Sequence, residues 1–136
     1  MISLRPLAAF MLSFACLASS SGASRAEEEA GHLVICGGGG LPDSVRDRFV
    51  ELAGGAKARI VVVPTASESA DGPPRELDEF LEPWRKRGVA SAKLLHTRSR
   101  AKADDPAFAA QLDDTDGVWF SGGDQSRVTE AYLGTA

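Results

Sequence analysis

Residues 60–63 read Ile-Val-Val-Val and are closed by Pro64. Four consecutive β-branched apolar residues suit a strand covered on both faces, which is the pattern of a parallel sheet. Pro64 lacks an N–H and ends the pairing. Similar runs recur along the chain. Leu33-Val34-Ile35-Cys36 precedes four glycines, residues 92–96 form a weaker run, and Val118-Trp119-Phe120 precedes Ser121-Gly122-Gly123. Between them lie helical patterns. Val45, Phe49, Leu52 and Ala53 follow the opening Pro42-Asp43-Ser44, and Gly54-Gly55 stops them. Leu77, Phe80, Leu81 and Trp84 share one helical face, with Pro83 expected to kink or shorten the helix. Residues 106–112 read as a short helix and residues 126–133 as the start of another, while 97–105 read as a charged loop. The expected order is therefore β-α-β-α-β-α-β-α. That order implies an α/β fold, a parallel sheet with helices on both faces. The pattern stops inside its last helix without a cap, so an incomplete part of a larger domain is expected.

The first residues are read differently. One positive charge at Arg5, an apolar stretch over 6–19, and small residues at Ser24 and Ala26 fit a secretory signal peptide cut after Ala26. A short membrane anchor is the alternative, but the run is under the ~20 residues that a span needs. Residues 27–31 then form a loose polar N-terminus, and 32–136 the domain. Removing Arg5 and Arg25 from the 15 basic residues leaves 13 against 19 acids, a net charge of −6. Such a chain has no basic stripe for nucleic acid. Arg85-Lys86-Arg87 reads as a solvated helix end. Of the two cysteines, Cys16 leaves with the signal peptide. Cys36 then has no disulfide partner and reads as a buried thiol, with a nucleophile as the sharper alternative.

Sites in open parallel sheets lie at the carboxyl ends of the strands. Three such ends carry suitable residues: 37–40, 65–69 and 121–125. The Gly37–Gly40 run fails the dinucleotide fingerprint because Pro42 stands at the third required glycine, and no Lys-Ser/Thr follows for a P-loop. It reads either as a tight turn or as a wall of backbone amides, with Gly39 and Gly40 as substrate contacts. Ser121 is not in a G-x-S-x-G elbow, since Trp119 occupies the first position. His32 and His96 have no zinc-ligand spacing, and no metal or other cofactor is called for. At residues 122–125 a double glycine runs into Asp124-Gln125. The amides of Gly122 and Gly123 can stabilise an oxyanion, and Asp124 and Gln125 can contact substrate. Asp124 can equally cap the following helix.

Four stretches together resemble the cyanophycinase branch of the cyanophycinase/dipeptidase E serine peptidases. They are residues 34–40, residues 49–69 (FVELAGGAKARIVVVPTASES), the aromatic helix face at 80–84, and residues 117–128 (GVWFSGGDQSRV). The resemblance implies a flavodoxin-like or class I glutamine amidotransferase-like α/β fold. It implies hydrolysis of an aspartate/arginine peptide polymer by a serine in a G-T-S-A-G elbow, aided by a histidine and an acid. Gln125 matches the glutamine that lines the family's pocket, and Gly122-Gly123-Asp124 its oxyanion-side loop. The elbow itself has no counterpart in these 136 residues, so the chain alone is expected to be inactive. No stable membrane insertion is expected once the signal is cleaved, and a homodimer is one assembly open to the full-length form. A non-catalytic peptide-binding pseudoenzyme and a nucleotide-binding α/β domain remain the alternatives.

Overall fold

The structure, a computed structural model, describes residues 31–37 and 39–135. The signal-peptide reading and its cleavage site lie outside them. Within the unit His32–Ala136 the chain forms three strands and five α-helices among the described residues. Helix α1 is Asp43–Leu52, β1 Arg59–Val63, α2 Pro74–Arg85 and β2 Ser91–Leu94. Helices α3, Arg100–Ala103, and α4, Pro106–Ala109, precede β3, Gly117–Phe120, and α5, Gln125–Tyr132. The sheet is parallel throughout, in the order β2-β1-β3.

The Ile-Val-Val-Val run is the central strand, and its register explains its composition. Ile60 pairs with Ala92 and Gly117, and Val62 with Leu94 and Trp119. All four apolar residues are buried. Ile60 and Val62 face one layer, where they meet Val50 of α1 and Leu81 and Trp84 of α2. Val61 and Val63 face the other, with Leu95, Phe108 and Tyr132. Helices thus cover both faces, as the continuous apolar pattern requires.

Three expectations change. Leu33 to Cys36 form no strand; Leu33 is 82% and Ile35 83% exposed, and Cys36 is exposed and free rather than buried. An apolar run becomes a strand only where a sheet edge receives it, and the glycines that follow offer no side chains to hold a register. Pro83 stands inside α2, which stops two residues later at Arg85. It stands in the last turn, where a missing N–H costs one hydrogen bond near an end that frays in any case. The loop read at 97–105 contains α3, whose start is capped by Ser99: its hydroxyl accepts the Lys102 N–H.

The amino ends of β1 and β3 are tied by charge. Arg59 donates from Nε to Asp116 Oδ2 at 3.0 Å and from Nη2 to Oδ1 at 3.0 Å, and its backbone N–H donates to the same carboxylate at 2.8 Å. These bonds hold the Asp116 carboxyl at about 2, below its ordinary 3.8. A carboxyl depressed in the folded state favours folding while it is ionised. That contribution is present above about pH 4 and is lost as pH falls toward about 2. Asp116→Asn is expected to flatten the fall in thermal midpoint over this window. An unchanged acid limb would show that the pair does not couple protonation to folding.

Candidate functional site

Two strand ends meet at the carboxyl edge of the sheet. After β1, Pro64 leaves the ladder and a tight turn follows, in which the Ser67 N–H donates to Pro64 O at 2.8 Å. After β3, Ser121-Gly122-Gly123 turns back toward it. The Asp124 N–H donates to Ala66 O at 2.9 Å, which fixes one loop on the other. The contact is close. A Cβ built on Gly123, whose φ is +145°, would lie 2.2 Å from Ala66 O. Only glycine fits that approach and that backbone conformation.

A cavity of about 760 Å³ opens beside this junction. Its wall includes Gly39 and Gly40 from one side, and Ser121, Gly122 and Gly123 from the other. Trp84 and Trp119 form its apolar floor. The structure therefore brings together four of the six residues singled out as site contacts. Asp124 and Gln125 do not line the cavity. Asp124 caps α5, accepting the Ser126 N–H at 2.9 Å, and bonding to Ser126 keeps its carboxyl below the ordinary range, with the charge of Arg127 assisting. Gln125, the first residue of α5, is exposed, and its side-chain amide has no hydrogen-bond partner among the described residues. Ser121 Oγ is shielded and likewise has no partner among the described residues.

Outside the cavity lining lies a polar network that sequence spacing does not reveal. The Thr97 N–H donates to the Tyr132 hydroxyl oxygen at 3.2 Å. Thr65 Oγ1 lies 2.9 Å from Tyr132 OH and 2.8 Å from His96 Nδ1, and His96 Nε2 lies 3.0 Å from Asp71 Oδ1. The Asp71 carboxyl is held below its ordinary value, first by the His96 bond and then by Arg98, so it is an acceptor. In the tautomer that places the His96 proton on Nε2, the donors run one way: Tyr132 to Thr65, Thr65 to His96, His96 to Asp71. The order hydroxyl, imidazole, carboxylate is that of a nucleophile triad. Thr65 is fully buried, however, and its oxygen already holds two partners, so the hydroxyl meets no substrate. The network fixes the loop instead. His96, read from sequence as a plain strand-end residue, is a buried-side partner of residues 31 and 25 positions away. No local motif carries such distances.

The fold and site define an α/β domain with its crevice at the carboxyl ends of parallel strands. No protein-family model matches the chain. The chain is similar to cyanophycinases: it is 33% identical over 108 residues to that of Synechococcus elongatus and, equally, to that of Thermosynechococcus vestitus. Each match covers 75% of this chain and 33% of the relative. The cyanophycinase of Geminocystis herdmanii is 28% identical over 95 residues, 66% of this chain and 34% of the relative. The chain thus spans about a third of the length of the curated relatives it matches.

Proposed function

We propose that this chain supplies one wall of the substrate site of a cyanophycinase-type serine peptidase. The observation that carries the reading is the meeting of Gly39, Gly40, Gly122 and Gly123 around one cavity at the strand ends, in a chain similar to cyanophycinases. Backbone amides at such a turn are suited to an oxyanion, and the exposed side-chain amide of Gln125, just outside the cavity lining, to a peptide group that extends past it. The nucleophile has to come from elsewhere, because no G-x-S-x-G occurs in the 136 residues. The reaction is acyl transfer through that serine, with aspartate/arginine peptides as substrates.

Two measurements test this. The chain by itself is expected to release no dipeptide from cyanophycin. A chimera joining residues 32–136 to the unmatched remainder of the Synechococcus elongatus relative is expected to release it. A folded but inactive chimera would defeat the peptidase reading. The missing elbow favours a second reading, a binding protein that holds such peptides uncut. Saturable binding of an aspartyl-arginine dipeptide by the chain, together with an inactive chimera, would select it.

A further inference from the structure

We propose that Arg98 and Arg127 are positioning residues for this wall, gripping the loop after β1 from behind so that the Gly122-Gly123 turn can seat against it. The proposal rests on the reading of the wall as a substrate site. Arg98 follows β2 and Arg127 stands in the first turn of α5. Arg98 Nη1 donates to Thr65 O, Nη2 donates to Ser67 O at 2.8 Å, and Nε donates to Asp71 Oδ2 at 2.8 Å. Arg127 Nη1 donates to Ala66 O at 3.3 Å and Nη2 to Glu68 Oε1 at 2.7 Å. Three successive carbonyls, Thr65, Ala66 and Ser67, are therefore each held by a guanidinium. The cause is local. Pro64 takes the chain out of the ladder, and these carbonyls lie beyond the strand pairing, where Thr65 O and Ser67 O need side-chain donors and Ala66 O takes a guanidinium beside the Asp124 N–H.

The shape of the donor matters as much as its charge. A guanidinium presents its N–H groups in a rigid planar fork, whereas an ammonium is a single point on a flexible stem. Arg98 spans two carbonyls and a carboxylate at once, which one ammonium does not reproduce. The held loop is also the surface that the glycine turn touches. Ala66 O takes the Asp124 N–H and Arg127 together, and it is the atom that a Cβ on Gly123 would meet first. A displaced Ala66 carbonyl therefore displaces the turn. Both arginines line a separate polar hollow of about 370 Å³, with Glu68 and Asp71, and neither lines the glycine-walled cavity. They act on a ligand there only through the loop.

The test uses the whole chain, labelled for amide NMR, with Arg98→Gln, Arg127→Gln and the two lysine variants. Exchange of the Asp124 amide and the shifts of Gly122 and Gly123 report the turn; the thermal midpoint reports the fold. Each glutamine variant is expected to speed Asp124 exchange by about tenfold or more while cooperative unfolding is kept. The lysine variants are expected not to restore the wild-type turn. They also carry the test if a glutamine variant fails to fold. Wild-type exchange and shifts in the variants, or full rescue by lysine, would overturn the proposal. An aspartyl-arginine dipeptide is then titrated into each protein. Weaker binding in the variants, by about tenfold, is expected if the turn is part of the site. Equal binding despite a loosened turn would overturn the positioning role. If the wild type shows no binding while the variants loosen the turn, the grip stands and the substrate reading fails.

Discussion

Gly123→Ala is expected to destabilise the domain by about 3 kcal/mol, lowering the thermal midpoint by roughly 10 °C or more. Two effects act at one position. The φ of +145° is one that a residue with a Cβ rarely adopts. The added carbon would also stand 2.2 Å from Ala66 O, 2.4 Å from Ala66 C and 2.9 Å from Ser67 N, all backbone atoms. That backbone is not free to retreat, because the Asp124 amide and Arg127 both hold Ala66 O. Gly122→Ala is the matched control. Nothing lies within 4 Å of its Cβ position, and its φ is outside the left-handed region. It is expected to change stability by about 0.5 kcal/mol at most, as exposed substitutions do. Thermal and urea unfolding of the pair decides the matter. Equal midpoints for the two variants would mean that the turn does not seat on the loop.

Trp84→Ala is expected to cost about 3–5 kcal/mol, enough to leave a domain of ordinary stability close to unfolding. Trp84 is 1% exposed and is among the largest fully buried side chains. Its ring centroid lies 5.4 Å from Phe49 and 5.0 Å from Trp119, and Phe49 and Trp119 are 5.2 Å apart. These three rings tie α1, α2 and β3 into one layer. Their tilted and edge-on geometries are the favourable ones for aromatic pairs. Trp84 and Trp119 also floor the cavity, so the alanine variant enlarges the site as it weakens the fold. Urea unfolding is expected to show a lower midpoint with an unchanged slope. A shift below about 1 kcal/mol would mean that the cluster repacks around the gap. The chain has only two tryptophans, so the emission of Trp119 alone then reports whether its surroundings stay dry.

What the sequence disclosed followed from periodicity. A continuous β-branched run located the central strand, and residues at helical spacing located α1 and α5 within a residue; they marked the body of α2, which starts three residues before Leu77 at Pro74. The glycines at 54 and 55 stop α1 as read, with φ of 107° and 65°. The failures also have physical causes. Leu33 to Cys36 carry the same composition as a strand, but composition does not say whether an edge is available to take them. Cys36, read as buried, followed that error. Of the candidate glycines, Gly123 is the one whose close approach to Ala66 demands glycine, and the double glycine at 122–123 marks it in the sequence. It was not legible where it depends on pairs distant in the chain. Thr65 with Tyr132, and Arg127 with Glu68, are separated by 67 and 59 residues. Nothing at either position marks its partner. Asp124 was read both as a cap and as a contact, and the cap is the role its bonds display.

The place of β1 in the middle of the sheet has a consequence for biogenesis. β1, the first of the described strands, pairs with β2 and β3 only after both are made, and the partner of Arg59 at Asp116 lies 57 residues downstream. Closing so long a loop costs entropy before any pairing compensates for it. During translation the most apolar segment of the domain therefore emerges well before its second neighbour. At an elongation rate of about 5–20 residues per second, that interval lasts several seconds. A bare β-branched strand is a template for association with other chains during such a wait.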